Sequence, residues 1–131
     1  MNSVMIVDVA AFTRLAMRSL FESLGIEVIA EADSEEEAVK YYRLYRPDLV
    51  LMDISMIGMD GLRASRKIME LDRDANIIVC SAVVYRDTVI QAIRSGAKDF
   101  IAKPLQKDRI ELSIRKVLGD KEDGWLMTKR G

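Results

Sequence analysis

Short runs of apolar residues recur along the chain, separated by longer stretches in which apolar positions repeat every three or four residues. The runs occupy residues 4–7, 28–30, 49–52, 77–80 and 100–102. Runs of this length, bounded by polar and turn-forming residues, are typical of strands buried on both faces of a sheet. The pattern predicts five strands, and the weak alternation with charge in the second run predicts that this strand lies at the sheet edge.

The stretches between the runs have the spacing of amphipathic helices. The first stretch places Phe12, Leu15, Ala16, Leu20 and Leu24 on one helical face. Ser34 followed by Glu37 forms a capping box that predicts the start of the second helix, and Pro47 prevents its continuation. Five helices alternate with the five strands, which is typical of βαβ units. We therefore expect a three-layer α/β sandwich with a parallel sheet between two layers of helices.

Four of the predicted strands are followed directly by a residue that can carry chemistry. These residues are Asp8, Asp53, Ser81 and Lys103. Ligands of open α/β sheets bind at the carboxyl ends of the strands, so we expect the four side chains to lie together at one edge. Two carboxylates, an ammonium and a hydroxyl predict a site for a divalent cation and a phosphoryl group.

Each of these residues also has a structural interpretation. Asp8 and Ser81 could cap the first and fourth helices, and Lys103 could extend to solvent. Asp53 could equally close a turn or cap a helix. The functional interpretation depends on the joint placement of all four. Cys80, within an apolar run, is predicted to be a buried residue rather than a reactive thiol.

The amino-acid composition further restricts the kinds of catalytic and metal site that this chain can form. The 131 residues include no histidine, which excludes Ser/His/Asp triads, Cys/His pairs and histidine-ligated metals. A metal would therefore have oxygen ligands, which favours magnesium or manganese over zinc. The net charge of -1 argues against a nucleic-acid surface, and the apolar runs are too short to span a membrane. We expect a cytoplasmic protein.

Three segments carry a resemblance to a known family. They read VLMDISMIGMDG at 50–61, CSA at 80–82 and KDFIAKP at 98–104. In this order and spacing they resemble the receiver domain of bacterial response regulators, and the likeness extends over residues 4–118. The resemblance implies a flavodoxin-like (βα)5 fold whose five parallel strands follow the order 2-1-3-4-5.

The resemblance implies a role for each residue at the strand ends. It makes Asp53 the phosphoryl acceptor and Lys103 the amine that pairs with the phosphoryl group. Ser81 corresponds to the switch hydroxyl, and Phe100 to the aromatic residue that moves between exposed and buried rotamers. Because Phe100 lacks a hydroxyl, its burial gains about 1.5–3 kcal/mol, and we expect it to be biased inward. A core aromatic without a switching role is the alternative.

A magnesium site is also implied by the resemblance. Its ligands would be the carboxylates of Asp8 and Asp53 and the backbone carbonyl of Ser55. The Lys103–Pro104 peptide bond is expected to be cis, as in the family.

The sequence departs from the family pattern beside this site. Receivers usually carry two adjacent acids after the first strand, but here Val9 follows Asp8, in the register that Arg14 indicates. We expect Mg²⁺ to bind weakly, because loss of even an outer-shell partner costs about 10- to 100-fold in affinity. Neither Ser55 nor Val83 can position an attacking water, so we also expect slow dephosphorylation.

Smaller departures accompany these. Ile57 replaces a proline that is usual in the family, and Ala10 stands where a capping side chain is common.

The receiver domain is expected at residues 1–119. The polar segment 120–131 is expected to be a flexible tail, with a docking role for Trp125 as the alternative.

Partners follow from the absence of histidine. The resemblance implies that the phosphoryl group comes from a partner histidine kinase or phosphotransfer protein, or from a small acyl phosphate. The receiver would not be an enzyme, although it would assist its own phosphorylation and dephosphorylation. It would signal as a stand-alone domain by protein contact through the fourth helix, fifth strand and fifth helix. Candidate contact residues there are Tyr85, Arg86, Ile90, Arg94, Lys98 and Lys107.

Two other classes of function stay open at this point. Val9 motivates a degenerate receiver that acts as an interaction module without accepting phosphate. The second of these classes is an enzyme, either a flavodoxin-like cofactor enzyme or an aspartate-nucleophile phosphatase. The loop after the first strand lacks the glycines that a bound cofactor phosphate would need. A phosphatase would need its nucleophile on the first strand and a second acid two residues later, and position 55 is a serine.

Overall fold

Five parallel strands form the sheet of the computed structural model, which describes residues 2–54 and 60–119. The strands are β1 (Ser3–Val7), β2 (Glu27–Ala32), β3 (Leu49–Asp53), β4 (Ile77–Ser81) and β5 (Asp99–Ala102). Their order across the sheet is β2-β1-β3-β4-β5, and all neighbouring pairs are parallel. The expected fold, the strand order and the edge position of the second strand are confirmed.

The connecting helices are α1 (Ala11–Ser23), α2 (Glu35–Tyr45), α3 (Gly61–Leu71), α4 (Arg86–Arg94) and α5 (Lys107–Leu118). Helices α4 and α5 each begin about one turn before the first apolar residue that indicated them, Val89 and Ile110 respectively. Their first turns are polar and mostly exposed to solvent. In α4 and α5 the apolar pattern therefore marks only the part of the helix that packs. The apolar face expected for α1 is partly wrong, because Phe12 and Leu15 are 84% and 62% exposed and Met17 and Phe21 pack on the sheet instead.

Helix α2 shows how local sequence sets helix ends. The Ser34 hydroxyl oxygen accepts a hydrogen bond from the Glu37 N–H at 3.1 Å, as the capping box predicts. In an ideal capping box the Glu37 carboxylate would accept a hydrogen bond from the Ser34 N–H. Here it accepts from the preceding residue, the Asp33 N–H, at 3.0 Å. At the other end Arg46 takes a left-handed φ of 44°, and Pro47 follows, so the helix ends there as expected.

Two apolar layers cover the sheet, because successive residues of a strand point to opposite faces. On one face, α1 and α5 pack through Met17, Phe21, Ile110 and Ile114. On the other face, α2, α3 and α4 pack through Ala38, Tyr42, Ala64, Ile68 and Ala92. Cys80 is buried in the α1–α5 layer, and burial raises the pKa of its thiol, as expected for an unreactive residue. No helix in residues 2–54 and 60–119 is long and apolar enough to cross a membrane.

A buried carboxylate fastens α5 to the edge strand β5. Asp99 accepts a hydrogen bond from the Ser113 hydroxyl at 2.6 Å and one from the Phe100 N–H at 2.9 Å. The charged groups of Arg109 and Lys116 lie 3.4 Å from its two oxygens. Burial alone would raise the pKa of Asp99, but these hydrogen bonds and cations lower it. The ionised carboxylate therefore stabilises the packing of α5 on β5.

This arrangement predicts a pH-dependent stability. A lowered pKa in the folded state contributes stability above the unfolded pKa of about 3.9, and the contribution is lost as pH falls through the folded pKa. We expect Asp99→Asn to lower the free energy of unfolding by about 1–3 kcal/mol at neutral pH, with the difference from the wild type shrinking below about pH 4. Denaturant titration across pH measures this. The exposed control Asp74→Asn should show little change, and a pH-independent loss in Asp99→Asn would contradict the prediction.

Candidate functional site

The four residues predicted to carry chemistry all lie at the carboxyl edge of the sheet. Asp53 and Ser81 are the last residues of β3 and β4, and Asp8 and Lys103 directly follow β1 and β5. Asp53 is paired with Cys80 in the β3–β4 register, and the Lys103 N–H donates to the Ser81 carbonyl at 2.9 Å. Parallel pairing of these strands therefore places the four residues on one rim.

Lys103 bridges the two carboxylates. Its ammonium nitrogen Nζ donates to Asp53 Oδ2 at 2.7 Å and to Asp8 Oδ2 at 3.0 Å. The carboxylate side chains are only 3% and 2% exposed, and the lysine side chain is 18% exposed. The alternative in which Lys103 extends to solvent is thus wrong, because its side chain reaches from the end of β5 to the acids at the ends of β3 and β1.

The electrostatics of this triad are unbalanced, because one ammonium faces two carboxylates. Burial raises the pKa of Asp8, and the neighbouring Asp53 acts in the same direction, while the Ala10 N–H and Lys103 oppose it. Burial alone would lower the pKa of Lys103, but its hydrogen bonds to both acids raise it. Lys103 is therefore a cation at neutral pH. Carboxylates crowded in this way favour further positive charge beside them.

Both the backbone N–H and the carboxylate of Asp8 make hydrogen bonds to neighbouring backbone groups. Its N–H donates to the Ala32 carbonyl at 3.0 Å, and its carboxylate oxygen Oδ1 accepts from the Ala10 N–H at 2.9 Å. Helix α1 itself begins at Ala11, and its N-cap residue Ala10 makes no side-chain cap. Asp8 therefore shapes the loop that leads into α1 and leaves its second oxygen for Lys103. The alternative in which Asp8 caps α1 is wrong, because the N-cap residue is Ala10.

Ser81 is buried at the end of β4. Its Oγ accepts a hydrogen bond from the Val83 N–H at 3.0 Å, so it stabilises the turn after the strand. The N-cap of α4 is Tyr85, and the alternative in which Ser81 caps that helix is wrong. Phe100 is half-buried and packs against the α2–α4 layer, and its switching role stays a prediction.

The residues present fit a magnesium site with few protein ligands. In the described part of the chain no group of three or more acidic, cysteine or histidine side chains could hold a metal. Asp8 and Asp53 supply two carboxylates, and Mg²⁺ often binds through one or two carboxylates while keeping several waters. Val9 is 40% exposed beside them and supplies no ligand. The predicted backbone ligand Ser55, like Ile57, lies outside the described residues, as does Trp125.

Two features of the site were not anticipated from the sequence. One is a network in which Arg14 and Arg18 bind Glu31, because it depends on the packing of α1 against β2. The other is a cavity of about 460 Å³ beside Lys103, between α1 and the loop after β5, lined mostly by apolar side chains. The Lys103–Pro104 peptide bond that borders this cavity is cis, as expected.

Known proteins share the sequence pattern and the architecture of this chain. The family described as "Response regulator receiver domain" matches residues 4–115. The chemotaxis protein CheY of Bacillus subtilis is 47% identical over 117 residues, which cover 89% of this chain and 98% of that protein. CheY of Thermotoga maritima is 46% identical over 114 residues, covering 87% and 95% respectively.

Solved structures agree with this assignment. A chain of the CheX–CheY–BeF3–Mg complex from Borrelia burgdorferi superposes with a TM-score of 0.84 at 35% identity, covering 89% of each chain. A response regulator from Thermotoga maritima gives a TM-score of 0.80 at 34% identity, covering 91% of this chain and 98% of that one. The chain therefore belongs to the response regulator receiver domain family, whose members act in two-component signalling.

Proposed function

We propose that Asp53 is the phosphoryl acceptor of this receiver and that Lys103 and Ser81 assist the transfer. The observation that carries the proposal is the pair of hydrogen bonds from Lys103 to Asp53 and Asp8. A nearly buried carboxylate that contacts a fixed ammonium is both a nucleophile and the centre of a preformed anion site. Receivers of this family are signalling domains rather than enzymes.

Phosphoryl transfer to Asp53 requires only a few side chains of this receiver. A carboxylate oxygen of Asp53 attacks the phosphorus, an O–P bond forms, and the bond from phosphorus to the donor atom breaks with its electron pair returning to the donor. Lys103 then pairs with the phosphoryl oxygens, and the Ser81 hydroxyl donates to them after leaving the Val83 N–H. Asp8, Asp53 and the backbone carbonyl of Ser55 would hold Mg²⁺, whose positive charge would make this crowding of oxygens tolerable.

The donor is a partner protein that carries phosphohistidine, because this chain has no histidine of its own. We propose that a histidine kinase or phosphotransfer protein approaches over the cavity beside Lys103. That cavity is lined by Thr13, Ala16 and Leu20 of α1 and by Pro104 and Leu105. Its lining includes Lys103, which contacts Asp53, so it offers apolar contact area beside a charged site. A small acyl phosphate would bypass this surface.

The proposed output surface consists of α4, β5 and α5, which all follow Ser81 along the chain, and Phe100 lies within β5. Tyr85 is 69% exposed at the start of α4, and Ile90 is 37% exposed. Exposed basic residues of this surface include Arg86, Arg94, Lys98 and Lys107. Phe100 carries the change of state outward by shifting its contacts with the α2–α4 layer when Ser81 engages the phosphoryl group. The receiver domain that performs this is proposed to end at residue 119, just after α5.

A degenerate interaction module is the second candidate function, and Val9 is the observation that favours it. Without a second acid in this loop, two carboxylates remain, and Lys103 already occupies them. If the metal site were too weak to support phosphorylation, the domain would signal only through its contact surfaces.

Phosphorylation at Asp53 separates these two functions. Incubation with acetyl phosphate and Mg²⁺ should add the mass of one phosphoryl group to the wild type, as measured by intact-protein mass spectrometry. Asp53→Asn should gain none, because the amide is not a nucleophile of this kind. The control Asp60→Asn changes an exposed residue that caps α3 and should be labelled like the wild type. An unlabelled wild type would indicate the degenerate module.

The role of Val9 can be tested by restoring an acid. Receivers generally bind Mg²⁺, and we propose that this one binds it weakly. Val9→Asp should tighten Mg²⁺ binding by at least about tenfold, since the new carboxylate adds a direct ligand. A magnesium titration followed by amide NMR shifts measures the dissociation constant. Phe12→Asp adds the same charge at an exposed site on α1 and should change it much less. Equal effects in both variants would contradict the proposal.

A further inference from the structure

Arg14 contacts the loop that carries Asp8 without touching the carboxylate. Its guanidinium nitrogen Nη1 donates to the backbone carbonyl of Asp8 at 2.7 Å, and the Arg14 side chain is 17% exposed. The other polar groups of Asp8 bond to Ala32, Ala10 and Lys103. Arg14 therefore completes the set of bonds that determines where this carboxylate points.

Arg14 is itself held in place by a second ion pair. Its Nε donates to Glu31 Oε1 at 2.9 Å. The other oxygen of Glu31 accepts from Nε and Nη2 of Arg18 at 2.9 and 2.7 Å. Glu31 lies on β2, paired with Ile6 of β1, so the network anchors α1 to the sheet next to the site. Partial burial opposes ionisation of Glu31, but the hydrogen bonds from Arg18 and Arg14 lower its pKa.

The loop has no other side chain suited to this task. Ala10 provides no side-chain cap for α1, and the side chain of Val9 is apolar. The fork of a guanidinium can bind a carbonyl and a carboxylate at once, which the single ammonium of a lysine cannot do with the same geometry. The placement of Asp8 thus depends on a residue six positions further along the chain and on a glutamate of the neighbouring strand.

We propose that Arg14, oriented by Glu31, is a positioning residue that sets the direction of the Asp8 carboxylate toward the metal and phosphoryl site. The inference rests on the proposed function of that site. Because Val9 replaces the usual second acid, Asp8 is the side-chain carboxylate that this loop contributes, and an error in its direction is not compensated by a neighbour. Arg18 acts only on Glu31, so its loss should matter less.

The test compares Arg14→Met with the matched control Arg18→Met. Both remove one arginine from the Glu31 network, but only the first removes the bond to the Asp8 carbonyl. We expect Arg14→Met to weaken Mg²⁺ binding by at least about tenfold, as for other partners that orient ligands, and Arg18→Met to stay close to the wild type. The dissociation constant is measured by amide NMR titration, and denaturant titration should show similar losses of stability in the two variants.

A second variant keeps the inference testable if Arg14→Met does not fold. Arg14→Lys retains the charge but loses the fork, so Mg²⁺ binding should fall between the wild type and Arg14→Met. Wild-type affinity in Arg14→Lys, or equal weakening in Arg18→Met and Arg14→Met, would overturn the inference. Weakened Mg²⁺ binding confined to the Arg14 variants supports it even if acetyl phosphate fails to label Asp53, a result that would count only against the proposed function.

Discussion

The ion triad of Lys103, Asp8 and Asp53 is the interaction on which the site depends. Two carboxylates that are almost excluded from water cannot both be ionised at low cost without a cation between them. Lys103 supplies that cation from the far side of β4, so it joins the ends of β1, β3 and β5 at one point. The same triad leaves an excess of negative charge, which favours a metal cation beside it. Under the proposed function, the ammonium of Lys103 would also pair with the oxygens that phosphorylation adds to Asp53.

The surroundings of the triad explain how this receiver differs from the family pattern. Val9 removes a carboxylate, which lowers the repulsion that a metal must relieve but also removes a ligand for that metal. The remaining acid, Asp8, is held by backbone bonds and by Arg14 rather than by a capping side chain. Under the proposed positioning role of Arg14, these bonds would direct the one acid that the loop retains. A second buried carboxylate, Asp99, holds α5 against β5 next to Phe100. The packing of the proposed output surface therefore depends on this carboxylate.

Much of this architecture could be predicted from the sequence, for identifiable reasons. Fully buried strands such as β3 read as continuous apolar runs, and glycine, proline and capping residues mark the helix ends. The strand order came from the resemblance to receivers, because periodicity alone does not order strands. The convergence of Asp8, Asp53 and Lys103 followed from their positions at strand ends. The bond from Ser81 to Val83 and the Arg14–Glu31–Arg18 network could not be predicted, since they depend on side-chain direction and on which helix packs beside which strand.

The most direct test of the account is the magnesium affinity of Lys103→Met. If the ammonium of Lys103 holds the two carboxylates that a metal would need, its removal relieves repulsion between the ammonium and the ion. The Mg²⁺ dissociation constant should then fall by about tenfold, which corresponds to about 1.4 kcal/mol, while the exposed control Lys107→Met stays at the wild-type value. An unchanged or weaker affinity in Lys103→Met would show that Lys103 does not share these carboxylates with the metal and would contradict the account.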